Sequence, residues 1–203
     1  MTSVAIVGNS ALSQRQRKEI EVSDHIIRFN LTPNISDEPS ARTMELFLSC
    51  SSKQVGSFLS ERRFLEDVAF QRADRIILPY HPEVIASYML KPSWLSRLKG
   101  RKSDWSEVCS QAVFECGKEL EIVSVQTYFD ACNILGIDCS RKDYFPSSGF
   151  IAILRALNIW QSHNDCITLF GFGFTGWKKH LWVQEREAIL GFKLNGKIMI
   201  SDF

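Results

Sequence analysis

Short apolar runs at residues 4–7, 26–29, 44–48, 75–78, 121–123 and 167–170 are too brief for helices, and this recurrence constrains the fold more than any other feature. Between them lie stretches of helical period: from the turn after Val7 to Ile20, then 58–70, 83–98, 126–135 and 150–160. Most of the runs are short and read as strands buried on both faces. Strands alternating with helices predict a Rossmann-like α/β fold, with a mainly parallel twisted sheet flanked by helices, in a single domain spanning residues 1–203.

The 203 residues suffice for one substantial core without metals or disulfides. A hydrophobic fraction of 45% and a charged fraction of 23% fit an ordinary soluble chain. With 24 basic and 23 acidic residues the net charge is +1, so no global field draws nucleic acid, and no nucleic-acid partner is expected. The apolar stretch after Met1 is too short for a signal or a membrane span, so a cytoplasmic protein is expected. Cys50, Cys109, Cys116, Cys132, Cys139 and Cys166 form no Cys-x-x-Cys pair and read as reduced thiols in a cytosolic compartment.

In parallel α/β sheets ligands bind beyond the carboxyl ends of the strands. That rule selects Gly8-Asn9-Ser10, Asn30, Tyr80-His81 and Gly171-Phe172-Gly173. Gly8-Asn9-Ser10 ends a buried strand and opens a helix, where N–H groups favour phosphate; a tight structural turn is the alternative. The spacing fits neither a dinucleotide fingerprint nor a P-loop. Ser147-Ser148-Gly149 precedes a helical segment and reads either as a plain cap or as an anion site. His180 stands five residues before Glu185, an acid–base pair if the two touch, although the spacing is imperfect for one helix face. His25 and His163 read as structural, and the basic stretch 97–102 reads as solvated charge.

Taken in order, these pieces resemble the sialyltransferases that carry sialylmotifs. Residues 4–10, then 20–24, Arg28-Phe29-Asn30 and Ala41-Arg42-Thr43 look like the long motif. Residues 144–149 continuing to 169–173 look like the short one, and His180 with Glu185 looks like the very short one. The resemblance implies a variant of the glycosyltransferase A fold and an inverting transfer of an acidic 2-keto-3-deoxy sugar, sialic acid or Kdo, from its CMP ester to a glycan or glycolipid acceptor. It implies His180 and Glu185 as catalytic residues, with His180 the base. By position Asn9 and Asn30 would contact the nucleotide, while Ser147, Ser148 and Gly149 would hold phosphate, ribose or carboxylate. Gly8, Ser10, Gly171, Phe172 and Gly173 complete the implied donor site. No Asp-x-Asp sequence is present, so no cofactor or divalent metal is expected.

The chain also departs from that family. Its paired cysteines would fall near Val4 and Asn164, with Cys166 only close by, and its aromatic motif is not recognisable in residues 175–179. The resemblance suggests a bacterial or viral relative working on the cytosolic face, in lipopolysaccharide or capsule synthesis, with peripheral membrane contact among its expected associations. Two other readings stand beside it: a non-catalytic module that binds CMP or a CMP-sugar, and a nucleotide-binding domain of unrelated chemistry. Trp94, Trp105, Trp160, Trp177 and Trp182 fit a core, a sugar platform or a lipid surface equally well.

Overall fold

The structure, a computed structural model, describes residues 2–32, 43–91, 93–95, 102–160 and 165–201. Its centre is a seven-stranded sheet of order β5-β4-β3-β2-β1-β6-β7, parallel at every pairing. The strands are β1 (Ser3–Val7), β2 (His25–Phe29), β3 (Thr43–Phe47), β4 (Arg75–Leu78), β5 (Glu119–Ile122), β6 (Cys166–Phe170) and β7 (Met199–Ile200). The parallel α/β sheet expected from the alternating runs is therefore present.

Helices cover both faces. They are α1 (Gln14–Glu21), α2 (Lys53–Ser60), α3 (Val68–Arg72), α4 (Pro82–Tyr88), α5 (Ser106–Glu115), α6 (Val125–Leu135), α7 (Ser148–Ile159) and α8 (Trp182–Leu194). Because successive strand residues point to opposite faces, β3 feeds two cores. Leu46 packs with Val55, Phe58 and Phe70 on one side, while its neighbour Phe47 packs in the cluster of Phe150 and Ile151 on the other. Each such side chain contributes about 1.5–3 kcal/mol by leaving water, so apolar residues on both faces of the strands are what make a two-faced sheet stable.

A cluster of charged side chains lies inside this packing. Arg155 on α7 holds Glu45 of β3 at 2.9 Å and 3.2 Å and Glu121 at 2.6 Å, and Arg155 and Glu45 are both buried. Arg75 reaches the same Glu45 at 3.4 Å.

Several element boundaries differ from the sequence reading, each for a local reason. The first helix begins at Gln14 rather than at the glycine turn, because Ser13 caps it: the Ser13 hydroxyl accepts from the Gln16 N–H at 3.2 Å and the Gln16 side chain accepts from the Ser13 N–H at 2.9 Å. The segment 58–70 is not one helix. Ser60 ends α2, Arg62 turns left-handed at φ 56°, a short 3-10 turn follows at Arg63–Leu65, and Asp67 caps α3 through the Phe70 N–H at 2.8 Å. Phe58, Phe64 and Phe70 still share one core, so their periodicity reports common burial and not a continuous helix. The segment 83–98 is helical to Tyr88, and residues 92 and 96–98 of it lie outside the described residues. So do Ala41 and Arg42 of the long motif, His163, Asn164 and residues 97–101 of the basic stretch. Strand β7 is an addition, pairing parallel to β6 at Thr168 and Leu169.

Candidate functional site

The carboxyl ends of β1, β2 and β6 are tied together by the residues picked out from sequence. Gly8 approaches β6 so closely that a Cβ there would lie 2.3 Å from the Gly171 carbonyl oxygen. Its N–H donates to the Phe170 carbonyl at 2.8 Å, and the Ser10 N–H donates to the Gly171 carbonyl at 3.1 Å. The glycine turn thus spends two of its amides on strand β6 and its loop. Asn9 donates from Nδ2 to the Phe29 carbonyl at 3.2 Å, carrying the link on to β2. Asn30 sits at φ 52°, where its Oδ1 accepts from the Ser49 N–H at 2.9 Å. A left-handed backbone suits Asn better than most residues, because its short amide can bond locally.

His180 is held from several directions. Its Nδ1 lies 2.8 Å from the Phe145 carbonyl oxygen. A carbonyl only accepts, so Nδ1 carries the proton and the neutral ring keeps its lone pair on Nε2. Trp177 and Trp182 meet the imidazole edge-on, with centroids 5.1 Å and 4.9 Å away. The loop carrying it is pinned: the Trp177 carbonyl accepts from the His180 N–H at 3.1 Å and from the Trp182 indole at 3.1 Å, while the Phe145 N–H donates to the Lys179 carbonyl at 2.9 Å. Phe145 and Trp177 stack at 5.5 Å with only 8° between their planes. Burial lowers the His180 pKa below its ordinary 6.5, outweighing the Phe145 hydrogen bond that favours the cation.

Glu185, one turn into α8, is 2% exposed. It accepts the Ser147 N–H at 2.8 Å and the Ser147 hydroxyl at 2.6 Å. That hydroxyl in turn accepts the Phe150 N–H at 3.1 Å, capping α7. Burial pushes the Glu185 carboxyl up to about 7 against the opposing pull of the two Ser147 hydrogen bonds. His180 and Glu185 therefore hold separate partners: the imidazole is oriented by Phe145 and the carboxylate by Ser147.

Two clefts take up part of the sequence-selected set, while Gly8, Asn9, Ser147, Gly149 and Glu185 line neither. Asn30, Ser148 and His180 line one of about 560 Å³, together with Ser51, Ser52 and Lys53. Tyr80 lines it too, its hydroxyl donating to the Pro146 carbonyl at 2.8 Å. His81 serves elsewhere, capping α4 through the Glu83 N–H at 3.3 Å. Ser10, Gly171, Phe172 and Gly173 line the other cleft, of about 870 Å³, with Arg15 and Arg186. The Phe172 ring also lies over Gly149, where a Cβ would come within 3.1 Å of it. The smaller cleft is the better candidate for chemistry. Among the described residues it holds an imidazole of fixed tautomer, a lysine, several hydroxyls and no carboxylate, a wall made to receive an anion.

Comparison with known proteins bears on the fold. No protein-family model matches the chain. Over 202 residues it is 21% identical to the urease operon 23 kDa accessory protein of Rhizobium meliloti (strain 1021), across 96% of this chain and 90% of that protein. A mammalian sialyltransferase crystal structure superposes on 98% of this chain and 68% of its own, with a TM-score of 0.55 at 16% identity. The chain has a sialyltransferase-like fold. At that identity the likeness speaks of architecture and leaves the chemistry to the site itself.

Sequence reasoning did not single out Phe145, Trp177 or Trp182 as supports of the imidazole, nor Ser51, Ser52 and Lys53 as cleft wall. The signal available was the placing of two tryptophans three residues before and two after His180. Among the described residues, no group of three or more His, Cys, Asp or Glu side chains gathers as a metal site would require, and no helix is long and apolar enough to cross a membrane.

Proposed function

We propose that the chain is an inverting, metal-independent glycosyltransferase moving an acidic 2-keto-3-deoxy sugar, sialic acid or Kdo, from its CMP ester to a hydroxyl of a glycan or glycolipid. The observation that carries this reading is His180, its Nδ1 proton committed to the Phe145 carbonyl at 2.8 Å and its ring on the wall of the cleft. With its pKa lowered by burial, the ring is neutral near pH 7 and ready to accept a proton at Nε2. The acceptor oxygen gives its proton to Nε2 and forms a bond to the anomeric carbon. The bond from that carbon to the phosphate oxygen breaks, and CMP leaves with the electron pair. Lys53, Ser51 and Ser148 supply donors for the anionic donor and the departing phosphate. In this reading Asn30 contacts the nucleotide in the cleft, supported by Asn9 through the Phe29 carbonyl, while Ser10 and the Gly171 to Gly173 loop, on the wall of the other cleft, act with Gly8 and Gly149 by shaping the backbone. Ser147 and Glu185 act through the helix that Ser147 caps.

A second reading, a non-catalytic module that binds CMP or a CMP-sugar, is favoured by the relative named as a urease operon accessory protein. The two separate in one assay. CMP release from CMP-sialic acid and CMP-Kdo is measured with glycan acceptors and EDTA present. Acceptor-dependent release supports transfer, whereas saturable nucleotide binding without release from either donor supports the module.

A further inference from the structure

Beside the mouth of the His180 cleft the chain displays apolar side chains that the core does not use. Met89, just after α4, is buried in the core, but Leu90 beside it lines the cleft while remaining 49% exposed. Trp94 and Leu95 come next, 69% and 56% exposed. Isolated exposed apolar residues are ordinary, but three within six positions, the first of them on the cleft wall, form a patch.

The charge along this stretch of the sequence has one sign. Residues 84–103 contain no Asp or Glu, yet carry Lys91, Arg97, Lys99, Arg101 and Lys102. Lys91 and Lys102 are exposed; Arg97, Lys99 and Arg101 lie outside the described residues and enter only as charge. In a chain whose overall charge is +1, five cations over twenty residues without one carboxylate are a concentrated exception. A tryptophan and leucines flanked by lysine and arginine match the chemistry of a bilayer interface: the rings and aliphatic chains enter the headgroup boundary while the cations stay at the anionic surface.

We infer that Leu90, Lys91, Trp94, Leu95 and Lys102 form a docking surface for an anionic lipid bilayer, which brings the His180 cleft against the membrane face. The inference does not rest on glycosyl transfer, and its readout is membrane binding alone.

The test is co-sedimentation of the full chain with phosphatidylcholine vesicles and with vesicles containing about one third phosphatidylserine, the charge density such segments respond to. The expected result is binding to the anionic vesicles only, weakening as salt rises. Lys91→Gln with Lys102→Gln should weaken it by about fivefold per cation removed. Trp94→Ser with Leu95→Ser should abolish it, with the helical circular dichroism of both variants unchanged because the substituted side chains are exposed. Absence of binding to anionic vesicles at low salt overturns the proposal. So does binding that ignores the Trp94 and Leu95 substitutions, or a self-associated chain that those substitutions turn into a monomer, since a second copy would then be the occupant.

Discussion

Ser147 gives both its N–H and its hydroxyl to the carboxylate of Glu185, at 2.8 Å and 2.6 Å, so that α8 grips the first residue before α7. The spacing of His180 and Glu185 suggested a possible direct pair. In the structure they support one wall of the cleft from two sides, the histidine facing it and the glutamate bracing the helix that brings Ser148 to it.

This arrangement predicts a pH dependence of stability. The Glu185 pKa rises from 4.5 in a free chain to about 7 in the fold. Between those values the folded chain holds a proton that the unfolded chain has lost, so stability falls as pH rises from about 4.5 to about 7. The shift sets an upper scale of roughly 3 kcal/mol for this contribution. Urea midpoints measured across that window should show the decline, and Glu185→Gln should flatten it, while lowering stability overall because an amide nitrogen cannot accept from Ser147.

Replacing Gly8 by Ala should destabilise the chain. The added Cβ would lie 2.3 Å from a backbone oxygen, which cannot swing aside as a side-chain tip can. Overpacking of this kind costs about 1–3 kcal/mol. Thermal denaturation checks it, and a variant that melts with the wild type would mean that β1 and β6 separate more easily than their hydrogen bonds suggest.

The buried ion group offers a third test. Arg155→Met leaves Glu45 charged and buried, a loss of about 3–5 kcal/mol when a buried pair is broken. Adding Glu45→Leu to it should recover a large part of that loss, because the uncompensated charge disappears. If the double variant is no more stable than the single one, Glu45 is stabilised adequately by Arg75 alone.

Lys53→Gln should weaken CMP binding by about tenfold to a hundredfold, the scale of one charge-assisted hydrogen bond, with little effect on melting, since the side chain is exposed. Calorimetric titration with CMP and with cytidine separates the phosphate contribution from that of the base. Equal losses for both ligands would remove Lys53 from the anion site.

How far the sequence alone could be read follows from which interactions leave a trace in residue types. The run at 4–7 was visible because a strand buried on both faces needs apolar residues at every position, and those at 26–29 and 75–78 were visible because all their residues but Arg28 and Arg75 are apolar. Strand β7, only Met199–Ile200, is too short to show a pattern and is defined by its pairing with β6. His180 stood out by its chemistry, but its orienting partner is the Phe145 carbonyl, and a backbone oxygen has no signature in sequence. Lys53 and Ser52 were hidden because they belong to a helix start that a pattern over 58–70 placed too late, so the wall facing His180 was not recognised.

The most direct test of the central claim is a comparison of wild type and His180→Ala for acceptor-dependent CMP release from CMP-sialic acid and CMP-Kdo, with EDTA present and CMP affinity measured in parallel. General-base catalysis by a positioned side chain is worth about 10²–10⁴-fold. The account predicts a loss of that order in turnover with CMP binding retained, and a wild-type profile whose acid limb falls below the ordinary histidine value of 6.5, because burial lowers that pKa. Transfer by His180→Ala at the wild-type rate would contradict the assignment of the base, and release by neither protein from either donor would contradict the transferase reading itself.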